Sequence, residues 1–176
     1  MNLQECYERS LLAFEITIPS LVLFSLSTMF LIDYAFEDLR NRRVSNNLMI
    51  ASGFFGFVAT IITGHLLDNL VLHISAFVFT TLVALLLFRI GAIGGADFKA
   101  LMVIAITSPG ILFSSWPEPL YEGIIASGLE IAIMLLLGIV YSKMKKRTNT
   151  GEEDRIVPLL PLLLLAYMAV QCLALI

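Results

Sequence analysis

The sequence predicts an all-α, polytopic membrane protein, a bundle of about six transmembrane helices, and three observations carry that prediction. Hydrophobic residues fill 59% of the 176 positions and charged residues only 14%, where a soluble domain has about 25% charged. Apolar runs alternate with short polar connections, and a helix needs roughly 20 apolar residues to cross about 30 Å of hydrocarbon. The eleven Lys and Arg residues gather in alternate connections rather than spreading along the chain, which is how the positive-inside bias is written into a membrane protein. The same clustering leaves no basic face to track nucleic acid, so no nucleic-acid partner is expected and the lipid bilayer is the expected surrounding. At this length a single membrane-embedded domain over residues 1–176 is expected, without a second soluble one.

The first helix is expected near residues 12–36. The preceding MNLQECYERS mixes acids with bases and leads into an apolar run without a small-x-small cleavage site, so it reads as part of a retained span, not a removable signal peptide. After EDLRNRRVSN a second helix is expected near 47–65, and after GHLLDN a third near 70–90. GAIGGAD leads into a fourth near 98–115, interrupted by TSPG at 107–110. Pro109 lacks the N–H that the helix ladder needs, so a kink or break is expected there. A fifth helix near 121–142 follows SSWPEPLYE, and a sixth near 156–176 follows KMKKRTNTGEEDR. Pro158 costs the sixth little, since an N–H in the first turn would be unpaired anyway.

Six spans divide the bases unevenly. Arg40, Arg42, Arg43, Arg89, Lys99, Lys143, Lys145, Lys146, Arg147 and Arg155 fall on one side, and only Arg9 on the other. The first, third and fifth connections are therefore expected in the cytoplasm, with both termini extracellular. The external connections hold Asp68, Glu118 and Glu122 but no Lys or Arg. Cys6 and Cys172 lie near opposite ends with no CxxC pair or companion His, so no metal and no cofactor is expected and neither cysteine is given a disulfide. His65 and His73 fall toward the external side and are assigned no chemistry.

Two aspartates stand at helix boundaries on the predicted cytoplasmic face: Asp38, closing the first helix, and Asp97, opening the fourth. Desolvation at an apolar boundary raises a carboxylate's pKa, and two within a few Å do not comfortably both ionise. One then keeps a proton. That is the working state of an aspartic protease, in which the ionised carboxylate takes a proton from water while the neutral one polarises the scissile carbonyl. The chain holds no HExxH and no GxSxG. Each aspartate also has a plain structural reading, Asp97 as an N-cap and Asp38 as a solvated residue of a basic loop.

Among the other polar residues, Asp33 precedes Asp38 by five positions, about 500° of helical rotation and so roughly 140° away. A buried polar contact between helices is expected of it. Glu130 lies deep in the fifth helix and needs a partner; a hydrogen bond to a neighbouring helix is expected, with a proton pathway or a substrate contact as the alternative. Lys99, Arg42 and Arg43 are expected at lipid phosphates.

The segment Asp38-Leu39-Arg40-Asn41-Arg42-Arg43-Val44-Ser45-Asn46 resembles the first-aspartate segment of type IV prepilin peptidases and archaeal preflagellin (archaellin) peptidases. There an aspartate is followed after five residues by Ile or Val, Pro and Asn. Gly94-Gly95-Ala96-Asp97-Phe98-Lys99-Ala100-Leu101 resembles the Gly-x-Gly-Asp segment of these membrane aspartic proteases, with its following lysine. Arg155-Ile156-Val157-Pro158-Leu159-Leu160-Pro161 is similar to the start of the family's last helix. The resemblance implies a membrane aspartic endopeptidase of the cell membrane. Its membrane-anchored substrate would be a prepilin-like or preflagellin-like precursor, cut of a short basic leader at the cytoplasmic face. Asp38 and Asp97 would be catalytic, supported by Gly94, Gly95, Ala96, Lys99 and Asn46. Ser45 replaces the family's usual Pro and Ala96 the bacterial second Gly. Ala96 points to an archaeal-type enzyme and to a negative φ at that position. No counterpart of the bacterial cysteine-rich domain is present, so N-methyltransferase activity is not expected. Two other readings remain open: an intramembrane protease of the presenilin or signal-peptide-peptidase kind, and a small proton-coupled transporter using Asp33, Asp97 and Glu130.

Overall fold

Thr17 begins the described part of the chain by capping a helix, its hydroxyl accepting the Ser20 N–H at 3.2 Å, and Pro19 fits the first turn that follows. The computed structural model describes residues 17–113, 116–146 and 157–173. These form α1 (Ile18–Asn41), α2 (Asn46–Ile62), a one-turn α3 (His65–Asp68), α4 (Leu70–Arg89), α5 (Gly95–Thr107), α6 (Pro119–Lys146) and α7 (Leu159–Cys172). Among the described residues there is no strand. The expected start of the first span and the last residues of the sixth lie outside them.

Three helices, α1, α4 and α6, are long and apolar enough to cross a membrane; α2 and α7 are shorter apolar helices. α1 runs past the expected end near 36 and stops at Arg42, whose φ of 52° turns the chain while its N–H returns to the Asp38 carbonyl at 2.9 Å. That left-handed cap is the usual way to end a helix, though Gly or Asn normally holds it.

The fourth expected span is corrected by the structure. It is not continuous to 115: α5 ends at Thr107, and Ser108 makes the last turn bond to Ile104 at 2.8 Å. Pro109 has no N–H to continue, and Gly110 then takes φ 76°. The backbone groups freed by the break are buried, so side chains must satisfy them. Glu122 accepts the Ile111 N–H at 3.0 Å, while Gln171 accepts the Leu112 N–H and donates to the Gly110 carbonyl, each at 3.0 Å.

α5 packs between α2 and α4 and also touches α1 and α7; α6 packs against α4 and α7, and α7 against α1. Leu31, Tyr34, Met49, Leu101, Ile104, Met134, Leu160, Leu163 and Tyr167 form the shared core. Small residues set the closest approaches, as in membrane helices, where packing replaces the hydrophobic drive. A Cβ on Gly56 would lie 2.0 Å from Thr107 Oγ1, and one on Gly123 would lie 2.9 Å from the Leu72 carbonyl. Phe54, Phe55, Leu82, Leu86, Leu136 and Ile139 face outward, the pattern expected of lipid-facing surface. Asp33 is a second correction. It is exposed, not a buried contact between helices; its neighbour Tyr34 makes the polar tie between α1 and α2, through the Ser52 hydroxyl.

Candidate active site

Asp38 occupies the last turn of α1, partly buried, and the backbone N–H of Leu160 in the first turn of α7 faces its carboxylate. The Arg42 guanidinium also lies near it. Its Oδ2 is buried without a hydrogen-bond partner.

Asp97 arrives from the other side of the site, on the third residue of α5 and ahead of the apolar run that follows. Gly94 is the N-cap, and Asp97 Oδ2 reaches back to accept the Gly94 N–H at 2.8 Å. Asp97 is therefore not the cap itself but the acid that pairs with the cap's N–H, half of a capping box. It is 8% exposed. Burial pushes its carboxyl up to about 6; the Gly94 N–H draws it down, and the charge of Asp38 pushes it up again. The aspartates are thus close enough that charge on one opposes charge on the other.

The loop residues divide by role. Gly91, with φ 74°, turns the chain out of α4. Gly94 leaves the space that Asp97 fills, since a Cβ there would lie 3.1 Å from Oδ2. Gly95 and Ala96 are already helical, and Ala96 has the negative φ that an alanine accepts. Lys99 Nζ donates to the Asn46 side-chain oxygen, tying the start of α5 to the start of α2. Ser45 caps α2 through Leu48 N–H at 3.3 Å, and its own N–H donates to Glu37 Oε2 at 2.9 Å. The structure thus brings Asp38, Asp97, Lys99, Asn46 and the 94–96 turn to one end of the bundle. Glu37 and the Leu160 N–H were not foreseeable from local pattern, because each contact joins separate helix ends.

The other polar residues lie elsewhere. Glu130 is buried beside Tyr167, whose hydroxyl pairs with Ser108 at 3.0 Å. His65 Nδ1 and His73 Nε2 are 3.0 Å apart at the end opposite the aspartates. There a cavity of about 200 Å³ is lined by His65, Asn69, Trp116 and Glu122 among others. Among the described residues no group of three or more His, Cys, Asp or Glu side chains could hold a metal ion. No curated protein and no solved structure matches the chain. The model of the type IV leader peptidase family matches residues 23–175, a stretch that includes both aspartates and every helix end around them, so the chain belongs to the type IV leader peptidase family.

Proposed function

We propose that the chain is an aspartic endopeptidase in which Asp38 and Asp97 are the catalytic pair. The observation that carries this reading is that two carboxylates from different helices lie at one end of the bundle, close enough for Asp38's charge to be felt by Asp97. Their surroundings divide the work. Asp38, facing the Leu160 N–H and Arg42, holds the negative charge, and its Oδ2 is buried without a hydrogen-bond partner. Asp97, the more deeply buried, holds the proton in the active form, a fraction of the molecules that grows as pH falls toward 6.

A water between them loses its proton to Asp38 as its oxygen attacks the scissile carbonyl carbon, while Asp97 gives its proton to the carbonyl oxygen. On collapse of the resulting diol the C–N bond breaks, Asp38 passes its proton to the leaving nitrogen, and Asp97 recovers one from the diol hydroxyl. Both carboxyls return to their starting states.

The substrate is a membrane-anchored prepilin-like or preflagellin-like precursor, cut at the cytoplasmic face of the cell membrane to release a short basic leader. The ten-to-one division of bases supports that orientation and the extracellular termini. Helical amides are satisfied and shielded, so the segment to be cut must unwind beside the pair. Ala96 in place of the second glycine favours an archaeal-type substrate. Co-expression with candidate precursors and mass measurement of the products tests this: Asp38→Asn and Asp97→Asn should each abolish cleavage. Full cleavage by either variant would sink the assignment.

A further inference from the structure

Two hydrogen bonds that involve neither aspartate join the helix ends carrying them. Glu37, immediately before Asp38, accepts the Ser45 backbone N–H at 2.9 Å. Ser45 caps α2, and Asn46, the first residue of α2, accepts the Lys99 ammonium two residues beyond Asp97. One continuous route therefore runs from the neighbour of Asp38 through Glu37, Ser45, Asn46 and Lys99 to the first turn of α5.

We propose that Glu37 is a positioning residue that, through the Ser45 N–H and the Asn46–Lys99 bond, sets the spacing of Asp38 and Asp97. The proposal rests on reading those two as a pair. The chemistry suits the task. A carboxylate accepting a backbone N–H at a helix start makes a charge-assisted bond, and the α2 N-terminus adds its own attraction for negative charge. Without this contact the loop after α1 leaves through a strained left-handed Arg42, and the turn at 42–45 has one tie fewer to α1.

The departure at residue 45 gives the brace its donor. Ser45 has φ −67° and ψ 137°, a backbone that proline adopts without strain. A proline there, as the family usually has, could not donate to Glu37. Ser45→Pro thus deletes the bond while fitting the backbone, and Ser45→Ala keeps the N–H and deletes only the hydroxyl cap.

The test reads the coupling between the aspartates directly in the purified full chain in detergent micelles. Carbon-13 NMR of labelled aspartate carboxyls follows Asp97 titration with and without Asp38→Asn; the change between the two is the coupling. Glu37→Ala and Ser45→Pro should each shrink that change, the double variant should shrink it no further, and Glu37→Gln and Ser45→Ala should preserve it. An undiminished change in Glu37→Ala and Ser45→Pro, or losses that add in the double variant, would overturn the proposal. Should Glu37→Ala fail to fold, the contrast of Ser45→Pro with Ser45→Ala decides alone. Precursor cleavage, followed in parallel, should drop by about 10²-fold in Glu37→Ala and Ser45→Pro, the scale of a 1 Å misplacement. If Asp38→Asn still cleaves, the peptidase reading fails while the NMR coupling still judges the brace.

Discussion

Asp97→Asn should make the protein more stable at neutral pH while abolishing cleavage. Asp97 is nearly buried, and its carboxyl is pushed from 3.8 up to about 6 by that burial, opposed by the Gly94 N–H and reinforced by Asp38. At about 1.4 kcal/mol per pKa unit, that rise corresponds to about 3 kcal/mol. The folded state binds this proton more tightly than the unfolded chain does. The stabilisation is therefore complete below 3.8 and lost as pH rises through 6. At pH 7.5 the wild type carries a buried charge, whereas the asparagine is neutral and still offers an oxygen to the Gly94 N–H. For a chain of 176 residues, about 3 kcal/mol amounts to a Tm gain of about 6–12 °C. Thermal unfolding in detergent micelles at pH 7.5, 6 and 4 measures it, and the advantage of Asp97→Asn should shrink steadily toward acid. A variant less stable than wild type at pH 7.5, or equally displaced at every pH, would refute the reasoning.

Three further outcomes follow from packing and hydrogen bonding. Gly56→Ala drives a methyl to within 2.0 Å of Thr107 Oγ1, so thermal unfolding should register a loss of about 1–3 kcal/mol, largely recovered when Thr107→Ala is added. Gln171→Leu leaves the Leu112 N–H and the Gly110 carbonyl unpaired, at about 1–3 kcal/mol each; Tm should fall, while the folded fraction keeps near-normal cleavage because these bonds lie at the end away from the aspartates. Ser45→Ala removes the α2 cap hydroxyl, at about 1 kcal/mol, and cleavage by the folded protein should survive because the N–H to Glu37 remains.

The six longer helices were legible because a bilayer demands long apolar runs, and EDLRNRRVSN, GAIGGAD and the TSPG break interrupt them visibly; the one-turn α3 inside GHLLDN was not. That Asp38 and Asp97 share one end of the bundle was legible for the same reason: alternation of spans put both there. The end of α5 was not. Pro109 announced a disturbance, but whether the chain kinks or stops depends on partners for its freed backbone, and those come from Glu122 and Gln171 on other helices. Asp33 failed differently. Helical rotation separated it correctly from Asp38, but expecting burial assumed that a charge in an apolar span must face the bundle, and Tyr34 holds that position instead.

The two departures from the family pattern have unequal weight once the backbone is seen. Ala96 lies inside the first turn of α5 with negative φ, where a methyl is tolerated, so its glycine is dispensable and the substitution alters nothing in how Asp97 is held. Ser45 occupies a backbone equally open to proline, yet it supplies an N–H that proline lacks, and Glu37 uses it. The first substitution is a replacement within one conformation. The second adds a bond beside the aspartates, so an isolated Ser45→Pro change, though it restores the family residue, should weaken the coupling between Asp38 and Asp97 in this chain.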